Sequence, residues 1–230
     1  MKTTSKNIIE MQSKFLNHQQ TTLRQVMLGF DRHKHALDLF LSQHAMLHAA
    51  KITPSSTWSF EDALLNNMSE EQMRRIPKRA EHSVAWLIWH IARIEDVAMN
   101  MLVAGSPQTL HDQKWFLPMN VKMRDTGNMM SAESIAQLSA TIDVHVLRKY
   151  RLAVGQRTCQ IVLQLTPENL KQKVASSRLQ KVLHEGAVID AASDLIDYWS
   201  KRNIAGLLLM PATRHNIVHL NEAYRIKKKR

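Results

Sequence analysis

A chain of 230 residues with 44% hydrophobic side chains is long enough for one generous domain with a real core. Only 6 glycines and 6 prolines interrupt it, and 13 methionines suit helix-on-helix packing, so the class is all-α. The single cysteine, Cys159, excludes an intramolecular disulfide or a cysteine-rich metal site, and a net charge of +11 allows attraction to polyanions without specifying it. No apolar run approaches the roughly 18 residues of a membrane span. The opening MKTTSKNIIEMQSKF lacks the apolar core of a signal peptide. A soluble, cytoplasmic protein is expected, with no membrane partner. The basic residues are not interleaved with aromatics in the manner of single-strand binders, so nucleic acid is not an expected partner either.

In chain order, Ile8, Ile9, Met11, Phe15, Leu16, Leu23, Val26 and Met27 give a ragged helical pattern over 5–28, punctuated by Gly29 and Asp31. A better helix follows over 33–51, with Leu37, Phe40, Leu41, Leu47 and Ile52 on one face. TPSSTWS (53–59) reads as a loop, 60–67 as a short helix, and Ser69-Glu70-Glu71-Gln72 as a capped turn. The clearest helix spans 84–104: Ser83 is its cap, Gly105-Ser106-Pro107 its stop, and its apolar residues run almost all round, which places it in the middle of a bundle. A long irregular crossover occupies 106–130. Ser131 then caps a helix predicted to run to Leu165, and Thr166-Pro167 opens a short one. Residues 171–189 are polar and mixed, with no predicted element. The last helical region covers 193–227, and Pro211 should kink or split it. These elements predict a helical extension (1–32), one domain (33–226) and a basic tail (227–230), solvated or frayed.

Histidine is enriched, at 12. Two pairs, His44/His48 and His215/His219, have the four-residue spacing that puts both imidazoles on one helix face where they can share a metal. Spacing alone does not choose between them. Glu222 follows His219 by three residues and shares its face: it is a fourth ligand, an acceptor for an imidazole N–H, or a surface glutamate paired with Arg225, and the acceptor role is preferred. His90 lies within the most apolar helix, in AWLIWHIARIED, so its ring needs a partner: a backbone carbonyl, a tyrosine hydroxyl, or a metal. Arg93, one turn on, needs a carboxylate or an anionic ligand.

HSVAWLIWHIARIEDVAMNMLVAG, read with LLLMPATRHNIVHLNEAYRIK, resembles the DinB superfamily, which includes metal-binding domains and bacillithiol- or mycothiol-dependent S-transferases. The resemblance, over about 33–226, implies an up-and-down four-helix bundle with a long crossover. It also implies a divalent metal held by His90, His215 and His219. Glu222 and Arg93 then become candidates for supporting the ligands, while His44 and His48 fall to a helix surface or to packing. His33, His35, His82, His111, His145 and His184 are read as ordinary surface or packing residues, and Cys159 as a packed small side chain. Three neutral imidazoles leave open coordination positions, the arrangement of a catalytic metal, and suit Zn, Ni, Fe or Co. The function implied is a metal-dependent transferase or hydrolase acting on a small-molecule substrate. Transfer of a low-molecular-weight thiol is placed ahead of hydrolysis, and a homodimer is compatible with the family. The alternative is a non-catalytic helical protein, stress- or nucleic-acid-associated, with structural histidines.

Overall fold

A computed structural model of the chain describes residues 2–27, 29, 32–54 and 58–228, with side chains from residue 8 onward. It is helical, with no strand among the described residues. The first helix, α1 (Lys2–Met27), buries Ile9, Leu16, Leu23, Val26 and Met27 and leaves Ile8, Met11 and Phe15 exposed. The ragged apolar pattern thus comes from one buried stripe with three exposed hydrophobes beside it. Gly29 is described, whereas Asp31 lies outside the described residues. Next, α2 (His33–Leu47) buries Leu37, Phe40 and Leu47 and ends at a 3-10 turn, Ala50–Ile52. Two short helices follow, α3 (Phe60–Leu65), capped by Ser59, and α4 (Glu70–Arg74), closed by the Ser69/Gln72 capping box.

The central helix, α5 (Val84–Asp96), is buried at every position. The Ser83 Oγ accepts from the Trp86 N–H at its start. The helix continues as a π-helical stretch, Val97–Ala104, and stops at Gly105, whose φ of 72° suits a residue without a Cβ. The crossover contains two single turns, α6 (Thr109–Asp112) and α7 (Phe116–Met119). Side chains of α5 pin it. Asp96 accepts from the N–H groups of Thr109 and Leu110 at 2.8 and 2.9 Å, and Arg93 donates to the carbonyl of Arg124 at 2.6 Å.

The helix predicted from Ser131 to Leu165 is in fact two, α8 (Ala132–Thr141) and α9 (Val144–Leu163). Ile142 turns extended, and Asp143 caps the second helix by accepting from the N–H groups of His145 and Val146 at 2.9 Å. The apolar period runs through the break, so only the cap reveals it. The Thr166 cap opens α10 (Pro167–Lys171), and the polar stretch contains α11 (Ser176–His184). Beyond α12 (Ser193–Ser200) comes α13 (Ile204–Leu209), then a π turn, Met210–Arg214, then α14 (His215–Lys228). As expected of Pro211, the α-helix is split there into two pieces, joined by a wider π turn that accommodates the missing N–H.

Four elements, α2, α9, α5 and α14, contact one another in a closed ring. Helix α1 lies on α2, α13 and α14 and contributes to both apolar cores. The expected frayed tail is corrected at its first two residues. Lys227 donates to the carbonyls of Leu64 and Asn66, and Lys228 pairs with Glu10 over the Tyr224 ring, while 229 and 230 lie outside the described residues.

Candidate metal centre

The π turn at Pro211 ends where α14 begins, and the first turn of α14 carries His215 and His219 toward His90 on α5. The three ring centroids lie 4.5–5.2 Å apart, and one ligand nitrogen from each ring lies within 4.8 Å of the others. His90 is buried, whereas His219 keeps 18% of its side chain exposed, so the cluster opens to solvent on the α14 side.

Two of the rings are held from behind. His90 Nδ1 donates to the carbonyl of Thr126 at 2.6 Å, and His219 Nδ1 donates to Glu222 Oε2 at 2.9 Å. Each bond fixes the tautomer and leaves Nε2 as a lone pair. His215 Nδ1 is buried with no hydrogen-bond partner. Glu222 also accepts from His82 Nδ1, through Oε1 at 3.0 Å, and Trp86 is stacked between the His82 and His90 rings.

Burial and neighbouring rings keep His90 and His215 neutral. Burial, with His219 alongside, lowers His90 to about 3. Burial and the two other rings hold His215 well below its ordinary value. At Glu222, burial pushes up, but the hydrogen bonds from His219 and His82 outweigh it and bring the carboxyl down to about 2. The sequence-predicted acceptor role of Glu222 matches this geometry.

Arg93 sits elsewhere. It is fully buried, and its donors go to Asp96 (3.1 Å), the Tyr150 hydroxyl (3.0 Å), Gln108 (2.6 Å) and the carbonyl of Arg124 (2.6 Å). The carboxylate that its burial demanded is Asp96. Arg93 reaches His90 only through the crossover, by holding residues 124 and 125 beside the Thr126 carbonyl. Gly127 completes that loop: at φ 84°, a Cβ there would lie 2.6 Å from the Trp89 ring.

Of the two placements expected for His44 and His48, the helix surface is corrected and packing holds, though the packing includes a carboxylate. Both are fully buried and meet at Glu95 of α5, His44 Nε2 at 2.7 Å from Oε1 and His48 Nε2 at 3.0 Å from Oε2. Their ligand atoms also fall within 4.8 Å of one another. Cys159, read as a packed small side chain, packs with its Sγ 3.7 Å from His44 Nδ1. Sequence reasoning passed over Glu95, Thr126 and Trp86, and read His82, which bonds Glu222 and stacks on Trp86, as an ordinary residue. Glu95 alone had a signal, an acid inside a helix apolar on every side.

The chain matches the DinB superfamily over residues 56–223, which takes in His90, Glu95, His215 and His219 and stops short of α2 with His44 and His48. No curated protein matches it.

Proposed function

The chain belongs to the DinB superfamily; on that basis we propose that His90, His215 and His219 hold one divalent metal ion and that the protein is a metal-dependent enzyme acting on a small molecule. One observation carries the reading: three imidazoles converge, two with their Nδ1 protons already committed and one with a buried Nδ1 that nothing satisfies. Leaving such an atom unpaired costs about 1–3 kcal/mol, so the arrangement fits a ligand to be bound. An imidazole-only set suits Zn, Ni, Fe or Co. When bound, the ion supplies Lewis acidity toward a thiol or a water.

The chain's own residues divide the remaining work. Thr126 and Glu222 orient two rings, and Trp86 walls the site between His82 and His90. His82, partly exposed, is placed to carry a proton between Glu222 and solvent. Both oxygens of Glu222 are engaged by imidazoles, so this carboxylate is not an idle general base. That favours a nucleophile which ionises near neutrality, a low-molecular-weight thiol with a pKa of about 8.5, over water. Thiol-dependent S-transfer to an electrophile is therefore placed ahead of hydrolysis.

The test is metal analysis of untagged protein. His215→Ala and His219→Ala should each remove the ion that the purified protein carries. His90→Phe should remove it too while leaving the helical circular dichroism intact. Full retention in all three would sink the assignment. One feature favours the second reading, a non-catalytic, nucleic-acid-associated protein: a cleft between α1 and α12–α14 lined by Arg24, Lys171, Lys173, Lys201, Arg202 and Arg214. Duplex DNA binding by counterion release alone should be weak, about 10⁻⁴ to 10⁻⁶ M, and vanish as salt rises. A sequence-selective complex that survives high salt would promote that reading.

A further inference from the structure

We propose that His44, His48 and Glu95 form a second divalent-cation site, enclosed in the bundle and separate from the histidine triad at its rim. Two imidazoles, His44 in the last turn of α2 and His48 at its C-cap, converge on a single carboxylate of α5, and the three side chains are fully buried with their ligand atoms within 4.8 Å of one another. Two histidines and a carboxylate are a recurrent ligand set for first-row divalent ions such as Zn, Fe(II), Co or Mn, and a poor one for the all-oxygen preferences of Ca and Mg.

The neighbours supply what such ligands need. Thr158 of α9 donates to Glu95 Oε1 at 2.8 Å, and Asn216 of α14 donates to Oε2 at 3.2 Å, so the carboxylate is oriented from two further helices. With a cation on Nε2, His44 keeps a partner for Nδ1 in the Cys159 sulfur at 3.7 Å. His48 presses against α9 at Gly155, where a Cβ would lie 2.6 Å from its Nδ1. That nitrogen is buried with no partner, so the ring is held by packing on one side and by Glu95 on the other.

The other buried carboxylates of the bundle sharpen the point. Glu61 is balanced by the Arg151 guanidinium at 2.6 Å, and Asp96 by that of Arg93 at 3.1 Å. Both are closed with permanent cations. Glu95 accepts only from two imidazoles, a hydroxyl and an amide. Each imidazole can exchange its proton for a metal, which a guanidinium cannot do. Because α2 covers the cluster completely, uptake requires local opening and should be slow.

The experiment strips the full chain with chelator and reconstitutes it with Co²⁺ over hours, reading bound metal per chain by elemental analysis and the cobalt absorption spectrum. The wild type should bind about two equivalents, one of them slowly, and the His215→Ala/His219→Ala double variant should retain about one. Glu95→Gln, which keeps the shape and a hydrogen-bonding oxygen, should lose the slow equivalent and keep the other. A wild type that binds one equivalent and loses it in the double variant would overturn this site and leave the rim site standing. One equivalent that survives the double variant but vanishes in Glu95→Gln would do the reverse. Two equivalents in Glu95→Gln would also overturn the proposal. Should that variant not fold, as judged by circular dichroism, His44→Gln takes its place, and the metal retained by the double variant still decides.

Discussion

Helix α5 carries two histidine clusters, one around His90 and one around Glu95, with opposite charge arithmetic. At the rim, three rings face one another, and a carboxylate, Glu222, stands behind them rather than between them. In the interior a carboxylate lies between the rings. Burial alone would lower His44, but the charge of Glu95 prevails and raises it to about 9, while at His48 burial prevails and lowers the ring to about 3. For Glu95 itself burial pushes up, and the two imidazoles outweigh it, so it stays ionised. The interior cluster thus balances its carboxylate with one proton, whereas the rim cluster has no carboxylate among its rings; each leaves one buried ring nitrogen unpartnered, His48 Nδ1 in the interior and His215 Nδ1 at the rim. A buried ring nitrogen left unpaired marks either cluster as a place for a ligand, but only the interior one also stabilises the metal-free fold through an internal charge pair.

Replacing the carboxylate associated with each cluster should separate them most strongly. Glu95→Ala leaves two buried imidazoles without an acceptor and should cost about 3–5 kcal/mol of metal-free stability. Glu222→Gln should cost less than about 1 kcal/mol yet weaken rim metal affinity roughly 10- to 100-fold. Urea unfolding with metal titration reads both, and equal stability costs would break the distinction.

Gly127→Ala should come next. It forces a left-handed backbone on a residue with a Cβ that meets Trp89, which should cost about 1–3 kcal/mol and shift the Thr126 carbonyl away from His90. Rim metal affinity should fall while the interior cluster is spared. A thermal melt combined with metal titration checks the pair of effects.

A smaller effect lies in the pH dependence of the metal-free protein. Folded His90 is held at about 3, whereas the unfolded ring takes up a proton near 6.5, so acid favours unfolding and stability falls as pH drops from about 6.5 toward 3. His90→Phe should make that slope shallower. His44 runs the other way. With its folded pKa raised to about 9, its contribution is complete below about 6.5 and is lost as pH rises through 9, so His44→Gln should flatten the alkaline limb. Chemical denaturation across pH 4 to 9.5 measures both slopes, and unchanged slopes would contradict the charge assignment. Smallest of all, Lys228→Ala removes an exposed pair with Glu10 and should change stability by less than about 1 kcal/mol.

The helical class, the cap at Ser83, the stop at Gly105 and the capping box at Ser69 were legible because each is a local signal. The break at Asp143 was missed because the apolar period continues across it. The interruption at Pro211 was legible too, since proline cannot donate the interior helix hydrogen bond, but the π turn that joins the two pieces was not. His90, His215 and His219 came from a resemblance rather than from spacing, which favoured His44 and His48 equally. The role of Glu95 depends on which helices face one another, and no local pattern encodes that. The same holds for Thr126, whose carbonyl reaches His90 only because Arg93 and Gly127 fix the crossover.

The most direct test of the rim site is anomalous diffraction at the metal absorption edge, on crystals of untagged protein never exposed to chelator. A strong peak about 2.0–2.1 Å from one nitrogen each of His90, His215 and His219 is the expected result. A peak beside Glu95 with none among those three rings, or no peak at either cluster, would contradict it.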